Sequence, residues 1–319
     1  MSSTLTAPRT STRPPVASRS RMRQSLGERV APYAYIAPFF LIFAVFGLFP
    51  LLFTFYVALF DWNPVGAHTF VGLDNFTRLL DDTRFWNALW NTISIWVLST
   101  VPQLLIALGL AHLLNHARLR FATLFRMSML VPYITSVAAT TVVFAQLFDR
   151  DYGLLNWVLH LVGAGPIDFA QSTWGSQVMI ATMVIWRWTG YTTLLYLASL
   201  QAISRDIYEA ASVDGAGNWK QFRHITIPSL RPVIVFTIVT STIGGLQIFT
   251  EPLLVSRSSP MTCGPVRQCQ TLTLFLFEQG FGQFKFGYGA AIGVSLFVLI
   301  VAFALLNFLL STRLRREKP

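Results

Sequence analysis

The stretch Glu209–Pro232, EAASVDGAGNWKQFRHITIPSLRP, decides how this chain is read. It is polar and punctuated by Gly215, Gly217, Pro228 and Pro232, yet long apolar runs flank it on both sides. Asp206 followed three residues later by Glu209 has the form of a capping box, so a short helix is expected over Ile207–Val213. Gly215 and Gly217 would stop it, because positive φ costs glycine little. Asn218 followed by Gln221 repeats the pattern and opens a second helix through Ile225, which Pro228 would end, since the residue before a proline disfavours the α region. Trp219, Phe222 and Ile225 fall at i, i+3 and i+6 and share a face. Ala210 and Ala211 leave the first helix a small-residue face that admits a partner at close range. Two readings stand on these residues alone: a docking element for a soluble partner, or an amphipathic pair lying at a lipid interface.

The flanking runs set the fold class. Apolar residues make up 53% of the 319 and charged residues only 12%, about half the charged share of a soluble domain. A membrane helix needs about 20 mostly apolar residues. Six windows meet that length: Tyr35–Leu59, Ala88–Leu114, Met127–Leu147, Val178–Leu200, Pro232–Thr250 and Gly287–Leu310. Only the fourth contains a charged residue, Arg187. The expectation is an all-α integral membrane protein with six transmembrane helices over residues 31–312. Residues 1–30, rich in Ser, Thr, Pro and Arg, are expected to be a disordered basic tail, and 313–319 a second basic tail. The first apolar run exceeds the length of a signal-peptide core, so it is expected to stay as an anchor.

The net charge of +10 is a topology signal. With the N-terminus inside and the sides alternating, 17 of the 24 Lys and Arg fall in inner segments, six in outer loops, and Arg187 within a span. Acidic residues run the other way, nine outside and five inside. The positive-inside rule then puts both termini in the cytoplasm. A nucleic-acid partner has no charge left to explain.

The spacing in the opening stretch carries more. Glu209-Ala210-Ala211, Gly215 after three residues, and Ile225-x-Ile227-Pro228 after nine more resemble the EAA loop of binding-protein-dependent ABC importer permeases, E-A-A-x3-G-x9-I-x-L-P. Ile227 in place of Leu is the one departure. The opening YIAPFFLIFAVFGLFPLLFTFYVALFDWN, then VGLDNFTRLL, NTISIW, QTLTLFLFEQGF and FGYGAAIGVSLF are similar to the first subunit of the paired carbohydrate permeases. The resemblance implies a type I importer fold and half of a permease heterodimer in a bacterial plasma membrane. It implies two ATP-binding partner subunits that carry ATP-Mg, and an extracytoplasmic solute-binding protein. Glu209, Ala210, Ala211, Gly215, Trp219, Phe222, Ile225 and Pro228 would be the surface coupled to the ATPase. The chain's three lysines, Lys220, Lys285 and Lys318, are not preceded by Gly or followed by Ser or Thr, so it contains no Walker A loop. ATP hydrolysis is expected on another chain, and this one is not expected to be an enzyme or to hold a cofactor or metal.

Inside the spans, Arg187 stands out, because a mid-bilayer Arg costs about 2.5–3.5 kcal/mol on insertion scales and must face protein or water. It is either a structural partner for a neighbouring helix or a hydrogen-bonding group in a solute path, flanked by Trp186, Trp188 and Tyr191. Gln247 and Glu251 are further path candidates, Glu251 alternatively an outer-loop residue, and Gln103 more simply bonds a neighbouring helix. His112 and His116 form no metalloprotease pattern and read as interfacial. Cys263 and Cys269 share an outer loop, where a disulfide and two free thiols are both open. The resemblance implies a di- or oligosaccharide substrate, with a glycerol-3-phosphate permease as the alternative. A stand-alone secondary transporter would need intramembrane carboxylates and an inverted repeat, which the sequence does not offer, and an intramembrane serine protease would need a G-x-S-x-G that is absent.

Overall fold

The computed structural model describes residues 26–64, 66, 68–116, 122–256 and 259–316. The expected basic tail up to Arg23, with Arg118, Arg120, Arg257 and Lys318, lies outside the described residues. The chain divides into two units at Leu52/Phe53.

The first unit holds α1 (Leu26–Phe43), a π-turn over Ala44–Leu48 and the start of α2 (Phe49–Ala58). Phe39 and Phe43, one turn apart, stack at 6.4 Å between ring centres.

In the second unit, α2 runs into a hairpin of β1 (Phe60–Trp62) and β2 (His68–Phe70), which the sequence reading did not anticipate. The pair is antiparallel with Phe60 opposite Phe70 and Trp62 opposite His68, whose rings stack at 4.6 Å. Asn75, in α3 (Asp74–Asp81), donates to the carbonyls of Ala58 and Phe60 at 2.9 Å each and so ties the hairpin to the end of α2. Then follow α4 (Thr83–His116), α5 (Ala122–Ile134), α6 (Val137–Leu147), α7 (Leu154–Leu161) and α8 (Thr173–Gln201). After them come α9 (Arg205–Val213), α10 (Asn218–Gln221), a π-turn Phe222–Thr226 and α11 (Ile227–Leu246). The chain ends with α12 (Thr250–Val255), α13 (Leu272–Phe277), a π-turn Glu278–Gly282 and α14 (Phe286–Arg316).

The central pair is α4 against α8. Toward the EAA end, Ala107 and Ala111 on α4 are small enough to seat Tyr196, Leu197 and Leu200 of α8 with Leu230 of α11. Tyr196 completes its polar needs there, its hydroxyl 2.7 Å from the Thr237 hydroxyl of α11. At the opposite end Ile95, Phe144, Met179, Ile180 and Met183 pack with Ile248, Leu274 and both cysteines. A third cluster joins Leu79, Phe85 and Ala88 to Phe275, Tyr288 and Ile292 of α13 and α14. Gly190 lets α8 meet α5, because a Cβ there would collide with the Met129 carbonyl.

Six crossings were expected; among the described residues four helices are long and apolar enough to cross a membrane, five if the α5–α6 pair is one span. That pair bends by 93°. Pro132 in the last turn of α5 and the short break before α6 interrupt the backbone ladder there. The expected fourth span, α8, has ample length at 29 residues, but Arg187 and the Trp-Thr-Gly-Tyr-Thr-Thr run behind it dilute its apolar content.

Two expectations for the opening stretch are corrected. The first helix is capped by Ser204, whose hydroxyl accepts from the Asp206 amide at 3.3 Å, and it begins at Arg205; Asp206 lies inside it. Pro228 does not end the second helix. The chain stays helical from Asn218 to Leu246 because the π-turn shifts the hydrogen-bond register: the Ile227 amide bonds the Phe222 carbonyl, five residues back. Pro228 then sits in the first turn of α11, where a missing amide costs little.

Candidate functional site: an elbow and a cavity

The elbow is α9 and α10 with the turn between them. Gly215 has φ +80°, its amide bonds the Ser212 carbonyl at 3.1 Å, and the Ala216 amide reaches back to Ala211 at 2.9 Å. That is a Schellman closure with glycine in the left-handed position just past the helix. The glycine's place in E-A-A-x3-G therefore has a local cause: it is the left-handed position of the closure that ends α9. Gly217, by contrast, has φ −68° and serves as the N-cap of α10, with no side-chain cap from Asn218.

Gln221 was expected only as a capping partner. It is buried in the crook of the elbow, donating 2.8 Å to the Ser212 hydroxyl and 2.9 Å to the Ala216 carbonyl. The Tyr208 and Thr226 hydroxyls meet at 2.9 Å and close the other side. These bonds hold α9 against the foot of α11 as one rigid piece. Glu209 and Ala210 point away from it and are exposed, as are Ile207, Val213 (87%) and Trp219 (71%). The expected shared face forms, with the Trp219 and Phe222 rings stacked at 5.7 Å; Trp219 is its exposed end, while Phe222 and Ile225 are half-buried, Phe222 edge-on to His112 of α4 at 4.6 Å. The elbow thus presents a carboxylate and an apolar surface while being anchored to α4 and α11.

The cavity lies between α4, α8, α11 and the bend of α5–α6, with a volume of about 500 Å³, within the usual range of a small-molecule site. Arg187, Trp188 and Tyr191 enter it from α8, Gln247 from the break between α11 and α12, and Glu251 from the first turn of α12. Trp186 does not line it; it is exposed, with its ring 5.6 Å from that of buried Phe144. Tyr133, in the last turn of α5, stacks on Tyr191 at 4.8 Å and meets Trp188 edge-on at 5.2 Å, making an aromatic wall. Sequence reasoning missed Tyr133; the signal was Pro132 beside it, which marks the break that turns a span toward the cavity. Gln103 donates 2.7 Å to the Thr192 hydroxyl on α8, so it bonds a neighbouring helix and also edges the cavity. Arg187 Nη1 is buried without a hydrogen-bond partner among the described residues. Interrupted helices at membrane depth are tolerated where they line a cavity, and both breaks do so here.

Beyond α12, Cys263 and Cys269 close a loop as a disulfide, their Cα atoms 5.2 Å apart, and both pack into the core with Ile248 and Leu274. Asn87 and Asn91 of α4 donate to the Arg267 carbonyl at 3.0 and 2.8 Å, and Gln177 of α8 donates to the Gln268 carbonyl at 3.1 Å. Arg267 forms a two-pronged ion pair with Glu278, one bond at 2.7 Å. Burial alone would raise the Glu278 carboxyl, but the bonds from Arg267 and Gln270 hold it below its ordinary value. Likewise Asp82 is held at about 2: burial opposes this, and the side-chain bonds from Arg84 and Tyr288 outweigh it.

These features have counterparts in known proteins. The model of the binding-protein-dependent transport system inner membrane component matches residues 84–316. The chain belongs to that family of inner-membrane permeases. It is 36% identical over 289 residues to the lactose transport system permease protein LacF of Rhizobium radiobacter, covering 90% of this chain and 94% of that one. It is 34% identical over 292 residues to the arabinooligosaccharides transport system permease protein AraP of Bacillus subtilis, covering 91% of each. Its fold is similar to a chain of a bacterial alginate ABC transporter crystallised with an alginate pentasaccharide-bound periplasmic protein. The TM-score is 0.78 at 20% identity, over 91% of this chain and 98% of that one. That likeness identifies the type I permease fold.

Proposed function

We propose that this chain is one half of the translocation pathway of an ATP-driven importer for a di- or oligosaccharide. It crosses the bilayer six times with both termini in the cytoplasm. The observation that carries the reading is the elbow: a rigid, exposed, carboxylate-bearing element at the spacing of the EAA loop, built onto the foot of α11. It docks on a separate ATP-hydrolysing subunit through Glu209, Ala210, Ala211, Gly215 and Trp219, with Phe222, Ile225 and Pro228 transmitting its movement to α4 and α11. A second permease subunit completes the pathway, two ATPase chains bind ATP-Mg, and an extracytoplasmic binding protein delivers the solute. For α8 as the sixth crossing, the support is its 29 residues, more than the 17–25 that suffice, and the inward-facing role its Arg187 has.

The solute passes through the cavity, where Trp188 and Tyr191 offer faces to sugar C–H surfaces and Arg187, Gln247 and Glu251 offer hydrogen bonds. A sugar is favoured over a glycerol phosphate because Glu251 shares the cavity with Arg187 and would oppose a second anion. The two cited relatives are named for lactose and arabinooligosaccharides. The test is gentle extraction of the tagged chain and mass spectrometry of what accompanies it. Recovery of a second permease, a Walker-containing chain and a binding protein is expected, and the binding protein is then screened against sugars. Recovery of this chain alone, with transport by the chain reconstituted alone, would overturn the reading.

A further inference from the structure

At the end of the second unit opposite the elbow, α7 (Leu154–Leu161) connects α6 to α8 and is apolar nearly all round. Leu155 and Leu159 pack on the core beneath. Leu154, Trp157, Val158 and Leu161, at i, i+3, i+4 and i+7, form the opposite stripe and are 48–64% exposed. No charged side chain lies within that stripe, and Arg150, Asp151 and His160 border it beside Leu154 and Trp157. The helix cannot roll to hide it. Asn156, buried on the inner face, donates to the Asp149 carbonyl at 3.0 Å and the Ile167 carbonyl at 2.9 Å, and accepts from the Ile167 amide at 2.9 Å. Asp149 in turn caps the approach by accepting from the amides of Asp151 and Tyr152. An outward apolar stripe is therefore held in place by a satisfied polar clamp.

The same end of the molecule shows further indole rings. Trp86 and Trp90 in the first turns of α4 and Trp174 in the first turn of α8 are 50–65% exposed. Tryptophan gathers where a bilayer's headgroups meet its acyl chains, and the chain belongs to an inner-membrane family. Val142 and Val143 of α6, the half-span that leads into α7, are also exposed and apolar.

We infer that α7 is an interfacial anchor: it lies in the headgroup–acyl boundary of the bilayer and buries Leu154, Trp157, Val158 and Leu161 in lipid. In this way it fixes the depth at which the α6–α8 connection sits. The inference needs the membrane location of the family and not the identity of the solute or the ATPase.

The test places a fluorophore on the stripe. Because Cys263 and Cys269 are paired and buried, a single introduced thiol is labelled selectively. Leu161→Cys, and separately Val158→Cys, are labelled with bimane in the full chain, extracted with the partners it retains and placed in nanodiscs of phosphatidylethanolamine and phosphatidylglycerol. Lipid carrying a nitroxide near the headgroup should quench both labels by about twofold or more, and more strongly than lipid with the nitroxide at the acyl terminus, as expected for a helix about 5–10 Å deep. Aqueous iodide should quench neither. Quenching by iodide and not by lipid would overturn the inference by placing the stripe in water. Quenching by neither would overturn it by assigning the stripe to a protein partner.

Discussion

Gly215, Gln221 and Arg187 each carry a different kind of consequence. Gly215 holds φ +80°, where a residue with a Cβ costs about 1–2 kcal/mol and proline's ring cannot close at all. Gly215→Ala should therefore weaken coupling mildly and Gly215→Pro abolish it, while membrane insertion is unchanged. Arg187→Ala should lower uptake by tenfold or more with normal insertion, since deleting a mid-bilayer Arg relieves insertion by about 2.5–3.5 kcal/mol. Unchanged uptake kinetics, measured in proteoliposomes, would make Arg187 purely structural. Asp82 and Glu278 titrate below their ordinary values in the fold. A carboxyl lowered by folding contributes stability above its unfolded pKa, about 4, and loses that contribution as pH falls toward its folded value. Thermal unfolding should accordingly show stability falling between pH about 4 and about 2, and Asp82→Asn should flatten that slope. An identical slope in the variant would contradict the clasp with Arg84 and Tyr288.

At the scale of the element, the elbow is held by Gln221 as well as by the motif residues. Gln221→Leu would strand the Ala216 carbonyl inside the crook, a cost of about 1–3 kcal/mol. Protease cleavage between α9 and α10 should become faster in that variant, and cleavage at the wild-type rate would count against the staple. The disulfide-closed loop behaves similarly: removing both cysteines should cost about 2 kcal/mol for so short a ring, read as a lower melting temperature. What was legible in the sequence followed from local physics. Apolar length predicted the long helices, and Gly215 marked the left-handed turn. The cap at Ser204 is hidden in the sequence because Asp206 offers an equally good capping pattern. The passage through Pro228 was not legible because a π-turn is a register shift made by the helix ladder, and no residue type announces it. The β1–β2 hairpin arises from aromatic pairing after α2, which looked like the tail of an apolar run. Arg187, Trp188, Tyr191, Gln247 and Glu251 were noticed separately as polar or aromatic residues near spans. That they share one cavity depends on the bends at Tyr133–Val137 and Gln247–Phe249, where tertiary packing decides direction.

The second unit combines two interrupted-helix walls around a cavity with a hydrogen-bonded elbow and a disulfide-closed loop. In the proposed importer, force enters at Glu209 and Trp219 and passes through the π-turn into α11, whose far end carries Gln247 beside Glu251. A rigid elbow is what such transmission requires, since a flexible one would absorb the movement. The most direct test reconstitutes the assembled complex in liposomes and measures ATP-dependent uptake of the sugar its binding protein holds, comparing wild type with Glu209→Lys and Gly215→Pro. Both variants should insert and fold yet lose uptake by tenfold or more. Wild-type uptake in both would contradict the proposed coupling, because the elbow would then be an interfacial loop and the power would enter elsewhere.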